Sequence, residues 1–168
     1  MTKQNRFGGK EHARRDRLIQ EENHDTYRVQ EKPPEPTQCP DCGAVFQHGR
    51  WSWALERLTD SHKKTCPACQ RMRDAYPAGS VTLSGSFLET HRDEIVNLVK
   101  NETKKEAEEH PLKRIMDMKN TDEGMLVTTT DSHLARSIGE SLARAYQGEL
   151  DYQYTEGDLL RVVWKRDL

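Results

Sequence analysis

Hydrophobic and polar residues follow regular patterns in the second half of the chain. From Gly79 to Pro111 the sequence reads GSVTLSGSFLETHRDEIVNLVKNETKKEAEEHP, a strand-like piece followed by apolar residues at helical spacing and then a charged run that ends at the proline. The pattern of residues 80–110 therefore predicts a strand followed by an amphipathic helix. The apolar face of this helix holds Phe87, Leu88, His91, Ile95, Leu98 and Val99. We expect His91 to be a packed core residue rather than a ligand or a base.

The pattern of residues 111–168 predicts a ββαββ unit in which one helix packs on an antiparallel sheet. The stretches LKRIMDMK and GMLVTTT flank the turn NTDEG as a hairpin, and ELDYQYT and DLLRVVWK form the last two strands. Between the two pairs lies the helix SHLARSIGESLARAYQ, with Asp131 as its capping residue and Gly148 as the left-handed residue after it. We expect the inward face of this helix to hold Leu134, Ile138, Leu142, Ala145 and Tyr146.

All four cysteines of the chain lie in residues 38–79, as two CxxC pairs. Cys39 and Cys42 belong to CPDCG, Cys66 and Cys69 belong to CPACQ, and 23 residues separate the pairs. This spacing is typical of a structural zinc site, because two short knuckles supply the four thiolates of one tetrahedral shell. We therefore predict a zinc ribbon with one structural Zn²⁺. The ion would add folding energy on the order of 10 kcal/mol to a chain whose 33% of hydrophobic residues can bury only small cores.

Other uses of the cysteines fit the sequence less well. A thioredoxin-like dithiol needs a CxxC between a hydrophobic strand and a helix, whereas PEPTQ precedes the first pair and Gly43 follows it. Disulfides need an oxidising compartment, and the sequence shows neither a signal peptide nor an apolar run of about 18 residues. We therefore expect a cytoplasmic protein with reduced thiols and no membrane partner. His48 and His62 are alternative ligands, but four cysteines already complete a closed shell.

Catalytic motifs are missing from the sequence. It contains no GxSxG, GxxxxGK, GxGxxG or HExxH, and four thiolates around zinc leave no open position for a catalytic water. Asp131 and His133 can be drawn as an acid/base pair, although helix capping explains the aspartate more simply. We expect neither enzyme activity nor a small-molecule substrate.

Cations are concentrated at the start of the chain, although the net charge of the whole chain is −2. Residues 1–17 hold two carboxylates and six cations, namely Lys3, Arg6, Lys10, Arg14, Arg15 and Arg17. We predict a disordered basic arm that neutralises phosphates and orders on binding. A proline-rich linker follows it up to residue 37. The alternative is a solvated tail without a partner.

A second group of cations is interleaved with aromatic residues around the cysteine pairs. The group comprises Arg50, Trp51, Trp53, Arg57, Lys63 and Lys64 between the pairs and Arg71 and Arg73 after the second one. Such residues stack on bases and pair with phosphates, so the group is a candidate nucleic-acid contact. In the alternative interpretation the aromatic residues cover the metal site as a small core, and we expect at least one tryptophan to do so.

Several of these stretches together resemble known families. CPDCG, CPAC, a helix containing HRDEI, and VTTTDSHLARSIGESLARAYQGELDYQY followed by LLRVVW are similar to a bacterial family of small zinc-ribbon proteins over residues 15–166. More distantly, the zinc module and the last unit resemble the amino-terminal region of the nonsense-mediated decay protein three family, the archaeal and eukaryotic export adaptor of the large ribosomal subunit. That family has more CxxC pairs, and further domains follow this region. The resemblance implies zinc binding by the four cysteines and a contact with ribosomal RNA, without catalysis.

These observations lead to one main hypothesis and two rivals. The main hypothesis is a non-enzymatic zinc protein that binds RNA, ribosomal by the resemblance, through residues 3–17 and the Arg/Trp-rich group. In the first rival, a protein–protein adaptor, the ββαββ unit or the acidic helix end binds a protein partner and the zinc is purely structural. In the second, a redox or stress-linked regulator, thiol oxidation releases the zinc.

Overall fold

The computed structural model describes Tyr27 and residues 32–54, 58–155 and 157–168. These residues form nine strands in two sheets and four helices, which confirms the predicted α+β class. The predicted basic arm and, apart from Tyr27, the first part of the linker up to residue 31 lie outside the described residues. None of the described helices combines the length and the apolar composition needed to cross a membrane.

The first sheet belongs to residues 32–78, here called the cysteine module. Its elements are β1 (Thr37–Gln38), β2 (Ala44–Gln47), β3 (Arg50–Trp53), β4 (His62–Lys63) and α1 (Pro67–Asp74). The strand order is β3-β2-β1-β4, with β1 and β4 parallel and the other neighbours antiparallel. The turn between β2 and β3 has His48 and Gly49 at positive φ, and both of their amides donate to the Glu35 carboxylate. This turn sets the start of β3, which carries Arg50 and Trp51.

The second sheet belongs to residues 79–168, here called the sheet-helix unit. Its elements are β5 (Gly79–Ser84), α2 (Ser86–Thr90), α3 (Arg92–Glu109), β6 (Ile115–Thr121), β7 (Gly124–Thr129), α4 (Ser132–Tyr146), β8 (Glu149–Tyr154) and β9 (Leu160–Lys165). The strand order is β6-β7-β5-β9-β8. The two predicted hairpins, β6–β7 and β8–β9, are present on either side of α4, so the ββαββ order of these elements is confirmed.

The central strand of this sheet differs from the prediction. The sequence predicts an antiparallel sheet within residues 111–168, but β5, from the segment 80–110, lies between the two hairpins. It pairs antiparallel with β7 and parallel with β9, so the sheet is mixed. The physical reason is burial, because Val81 and Leu83 of β5 are fully buried and a central strand gives such side chains neighbours on both sides. Residues 80–110 thus belong to the same unit as the residues that follow them.

One apolar layer lies between this sheet and the helices. Alternate residues of β5, β7 and β9 are buried in it, as the period of two in a strand requires. Its largest fully buried side chains include Leu83, Leu88, Ile95, Leu134, Ile138, Leu142, Leu160 and Trp164. His91 is half-buried and stacks on Phe87 with 3.9 Å between the ring centres. It packs against the core, as expected.

The two ends of α4 agree with the prediction. Asp131 caps the helix, because its carboxylate accepts the Leu134 amide at 2.9 Å. At the other end Gln147 and Gly148 both take positive φ, 62° and 96°. A side chain at Gly148 would meet the Lys165 carbonyl at 2.7 Å, so a glycine lets the chain turn closely past β9.

The inward face of α4 is only partly as predicted. The predicted residues Leu134, Ile138 and Leu142 are fully buried, but Ala145 is exposed. Ala135 and Gly139 are buried instead. A Cβ atom at Gly139 would lie 2.6 Å from Val162, so α4 approaches β9 closely at this glycine. The buried face of α4 is therefore centred nearer to Gly139 than predicted.

Candidate metal centre and adjoining cavity

The first cysteine pair occupies the tight turn between β1 and β2. Cys39 directly follows β1, and its amide donates to the Ala44 carbonyl at 2.8 Å. The Cys39 carbonyl accepts the Gly43 amide at 3.0 Å, and Gly43 has a φ of 81°. Residues with a side chain rarely adopt this φ, so the glycine lets the turn close with Cys39 and Cys42 next to each other.

The second pair lies at the start of α1. Cys66 precedes the helix, and Pro67 takes the first helical position, where a missing amide leaves no hydrogen bond unmade. The Cys66 sulfur accepts the Cys69 amide at 3.4 Å, in the manner of a helix cap. The Cys66 amide donates to the Cys39 sulfur at 3.3 Å, which joins the two pairs.

The four sulfur atoms form one cluster, and all of them lie within 4.8 Å of one another. The Cys42 and Cys66 sulfurs are 3.7 Å apart. A tetrahedral ion with sulfur ligands at about 2.3 Å would place them about 3.8 Å apart. All four cysteines are free of disulfides, so the cluster can hold one metal ion. His48 and His62 are exposed and do not belong to it.

Burial and backbone amides act in opposite directions on the thiols. Burial raises the pKa of the Cys39 thiol, but hydrogen bonds from neighbouring amides, that of Cys66 first, outweigh it and lower this pKa to about 7. For Cys42 and Cys66 burial dominates and raises the thiol pKa. A bound cation removes this penalty, because it replaces the protons and neutralises the thiolates. The chemistry of the cluster therefore fits a metal.

Arg114 of the sheet-helix unit reaches the cluster. Its Nη2 atom lies 3.3 Å from the Cys66 sulfur and 3.2 Å from the Cys69 sulfur. Four thiolates around a divalent ion leave an excess of negative charge, which a guanidinium group beside them reduces. Thr130 holds Arg114 in place, since its hydroxyl oxygen accepts the Arg114 amide and its own amide donates to the Arg114 carbonyl, both at 2.9 Å. Sequence reasoning missed this residue, which lies 45 positions from Cys69 in a stretch without any motif.

The two tryptophans of β3 have different roles. Trp51 packs against the cysteines together with Leu112, which confirms that at least one tryptophan covers the site. Phe46 meets the Trp51 ring edge-on, with 5.6 Å between the ring centres. Trp53 is 40% exposed, and its Nε1 atom donates to the Ala107 carbonyl of α3 at 2.6 Å. Trp53 therefore joins the cysteine module to the sheet-helix unit.

An open cavity of about 750 Å³ lies beside the metal centre, between the module and the unit. Its lining includes Tyr27, Lys32, Phe46, Arg50, Trp51, Lys64, Pro67, His110, Pro111, Leu112, Lys113 and Asp131. Lys32, Arg50 and Lys64 are exposed, and none of these side chains forms a hydrogen bond or an ion pair with another described residue. The cavity thus combines an aromatic ring with cations that have no partner among the described residues.

Two other charged residues of the cavity already have partners. Lys113 forms an ion pair with Glu106 of α3 at 3.2 Å. One oxygen of the Asp131 carboxylate accepts the Leu134 amide. Asp131 is the only acidic residue among the described residues of this lining, so its charge cannot balance those of Lys32, Arg50 and Lys64.

The predicted nucleic-acid residues lie in different environments. Arg50, Trp51 and Lys64 line the cavity. Lys63 lies at a separate cleft beside the first cysteine pair, where its Nζ atom donates to the Gln38 side chain at 3.1 Å. Outside the described residues lie Arg57 and the arm residues Arg6, Lys10, Arg14, Arg15 and Arg17.

Arg71 and Arg73 of α1 have structural contacts. Arg71 is only 6% exposed, its Nη1 atom donates to the Tyr76 carbonyl at 3.1 Å, and its guanidinium lies 4.4 Å from the centre of the Tyr27 ring. Burial takes this arginine out of reach of a ligand at the surface, which the sequence pattern did not indicate. Arg73 is exposed and forms an ion pair with Asp41 at 2.7 Å, linking α1 to the first cysteine pair.

Lys32 and Lys113 are cavity cations that sequence reasoning missed. Lys32 belongs to the stretch interpreted as a linker, and Lys113 lies two residues before β6. Neither has an aromatic neighbour in sequence, so the only signal was their charge. In the sequence Lys32 precedes both cysteine pairs and Lys113 follows them, and the fold brings the two lysines to the same cavity.

Comparisons with known proteins add no relative. No protein-family model, no curated protein and no solved structure matches the chain. The resemblance drawn from the sequence motifs therefore stays a prediction, and the function has to be inferred from the geometry of the chain itself.

Proposed function

We propose that this protein binds RNA at the cavity beside its metal centre and has no catalytic activity. The observation that carries the proposal is that three exposed cations, Lys32, Arg50 and Lys64, line one cavity together with the half-buried Trp51 ring. Phosphates attract such cations, and an accessible ring offers a surface on which bases stack. The proposal extends to the arm of residues 6–17, whose charge would add further phosphate contacts.

Zinc is the metal that we propose for the cysteine cluster. Four thiolates in a tetrahedral arrangement favour zinc or iron, and a closed shell of four cysteines suits a structural zinc ion. Such a shell leaves no site for a catalytic water, which supports a structural role. Elemental analysis of the purified chain should find one zinc per chain, and a variant with Cys39→Ser and Cys66→Ser should retain none.

Ribosomal RNA of the large subunit is the target that the motif resemblance suggests. Sedimentation of a lysate through sucrose gradients tests this target directly. The intact protein should migrate with a ribosomal subunit at low salt and leave it at high salt, because phosphate contacts weaken as salt rises. A protein that stays at the top of the gradient at both salt concentrations would rule out a ribosomal target.

RNA binding itself is tested with the zinc-loaded full chain and a labelled RNA, by fluorescence anisotropy across a salt series. The logarithm of the binding constant should fall linearly with the logarithm of the salt concentration. Replacing Arg50 and Lys64 by Gln should lower the affinity about tenfold and flatten the salt dependence by about 0.7 per lost phosphate contact. The matched control removes two exposed charges away from the cavity, Lys100→Gln with Arg161→Gln. Affinity that is equal at low and high salt would contradict the proposal.

A protein-binding adaptor is the second candidate. Tyr154 of β8 is 70% exposed and offers apolar surface to a partner at this edge of the sheet. Deleting residues 1–17 separates the two functions: RNA binding should weaken strongly without the arm, whereas an adaptor should bind its partner unchanged. A redox-linked regulator would release its metal under mild peroxide, and a zinc content unchanged by peroxide would remove that alternative.

A further inference from the structure

We infer that the cavity is a site for one unpaired nucleotide of single-stranded RNA, with the base against Trp51 and the phosphates among the cations of the lining. This inference rests on the proposed RNA binding and specifies which form of RNA is bound. It follows from three features of the cavity: its apolar walls, its cations and its attachment to the metal centre.

The apolar part of the cavity suits a flat ring. Trp51 is half-buried, Phe46 supports it edge-on, and the apolar residues of the wall also include Pro67, Pro111 and Leu112. A base within a duplex is stacked on both faces and cannot offer one to a side chain. A base in a loop or a single strand can offer one face to a side chain. Aromatic side chains in basic clefts bind such bases without regard to their identity.

The cations of the cavity suit phosphate. Arg50 is next to Trp51 in β3, and Lys64 directly follows β4. Lys32 lies on the same cavity, so at least three cations without a partner among the described residues line it together with the Trp51 ring. A volume of about 750 Å³ is in the range of ligand pockets, and it offers room for a base and its sugar and phosphate rather than for a helix.

Part of the cavity lining is attached to the cysteine cluster. Leu112 packs against the cysteines, and Arg114, two residues later, donates to the sulfurs of Cys66 and Cys69. Arg50, Trp51 and Lys64 belong to the cysteine module, so this part of the lining depends on an intact cysteine cluster. We expect nucleotide binding to depend on the metal, although no cysteine touches the nucleotide.

The decisive experiment compares one labelled RNA of about a dozen nucleotides, single-stranded, with the same sequence annealed to its complement. The zinc-loaded full chain should bind the single strand about tenfold more tightly than the duplex or better. Trp51 fluorescence should be quenched on binding in the wild type and in a Trp53→Phe variant, and this quenching should be absent in Trp51→Phe. Replacing Trp51 by Leu should lower the affinity for the single strand by about 5- to 100-fold.

Trp51 also covers the metal site, so metal content is measured in each variant. If Trp51→Leu loses its metal, the quenching comparison and the Arg50→Gln, Lys64→Gln variant decide instead. Single strand and duplex binding equally well, both with a steep salt dependence, would overturn the nucleotide site while leaving RNA binding in place. Absence of salt-dependent binding to either RNA would overturn the proposed function itself.

A competition experiment distinguishes RNA from a free nucleotide. A free nucleoside monophosphate should displace the labelled RNA only at millimolar concentrations, because it lacks the neighbouring phosphates that other cations bind. Displacement of the RNA by micromolar monophosphate would assign the cavity to a soluble nucleotide and overturn RNA as the source of the ligand.

Discussion

The cysteine module and the sheet-helix unit are held together by different interactions. All twelve of the largest fully buried side chains belong to the unit, so its stability comes from apolar burial, about 1.5–3 kcal/mol for each large side chain. In the module the buried apolar residues are three cysteines, three alanines, Val45 and Phe46. So small a core cannot offset the entropy of ordering its strands. We therefore predict that the module depends on a bound metal ion for its stability, whereas the unit does not.

Three of the contacts between the two regions involve β3 or the cysteine cluster. Trp53 donates to the Ala107 carbonyl, Leu112 packs on the cysteines, and Arg114 donates to two sulfurs. Each of them links the unit to β3 or to the cysteine cluster. We therefore expect a metal in the cluster to influence how the module is positioned on the unit, besides the backbone bonds of Ala78 to Thr129 and Leu160.

Removal of the metal should have the largest effect. A structural zinc ion contributes on the order of 10 kcal/mol, so chelation should unfold the module and leave the unit folded. Amide hydrogen exchange is the measurement: protection should disappear in β2 and β3 and persist in β5 and β9. Adding zinc back is the control and should restore the protection. If β5 and β9 lost protection together with β2, the two regions would form one cooperative unit and the comparison would fail.

Truncation of the apolar core should have the next largest effect, and it should act on the unit. Ile138 is fully buried between α4 and the sheet, so Ile138→Ala should lower the free energy of unfolding by about 2–5 kcal/mol. Urea unfolding monitored by the buried Trp164 measures this loss. Ala145→Ser, on the exposed side of the same helix, should change the free energy of unfolding by about 0.5 kcal/mol or less. Loss of bound metal in Ile138→Ala would show that the module depends on the core of the unit.

Features fixed by neighbours in sequence could be predicted. The cysteine cluster follows from two CxxC turns, the β6–β7 hairpin from a turn between two apolar stretches, and the start of α4 from Asp131. In each case the interacting residues are close in the chain, or their spacing is diagnostic of one ion. The class of the fold and the candidate ligands were therefore accessible to sequence reasoning.

Features that depend on distant pairing could not be predicted. Strand β5 lies 75 or more residues before its parallel partner β9, and no turn signal specifies that pairing. The burial of Arg71 and the donation from Trp53 to α3 likewise depend on how the module packs. Alternating apolar residues show that a strand is buried, but they do not name its neighbours.

Arg114 allows the sharpest test of how the two regions are coupled. Its side chain belongs to the unit, but its partners are the Cys66 and Cys69 sulfurs, and its Nε atom is buried without a hydrogen-bond partner among the described residues. Arg114→Met keeps the apolar length of the side chain and removes the donors. Residues that support metal ligands contribute about 10- to 100-fold to metal affinity. We expect a loss of that size, measured by competition with a chromophoric chelator.

The matched control for this variant is Arg73→Met. Arg73 forms an exposed ion pair with Asp41 in the module and touches no sulfur, so its loss should leave zinc affinity within about twofold. The unit should be no less stable in Arg114→Met, because the variant removes a buried charge whose partners lie in the module. Equal zinc affinity in the two variants would mean that the module forms its site without help from the unit. A loss confined to Arg114→Met would show that the unit stabilises the metal centre, and that the two regions differ in their source of stability without being independent.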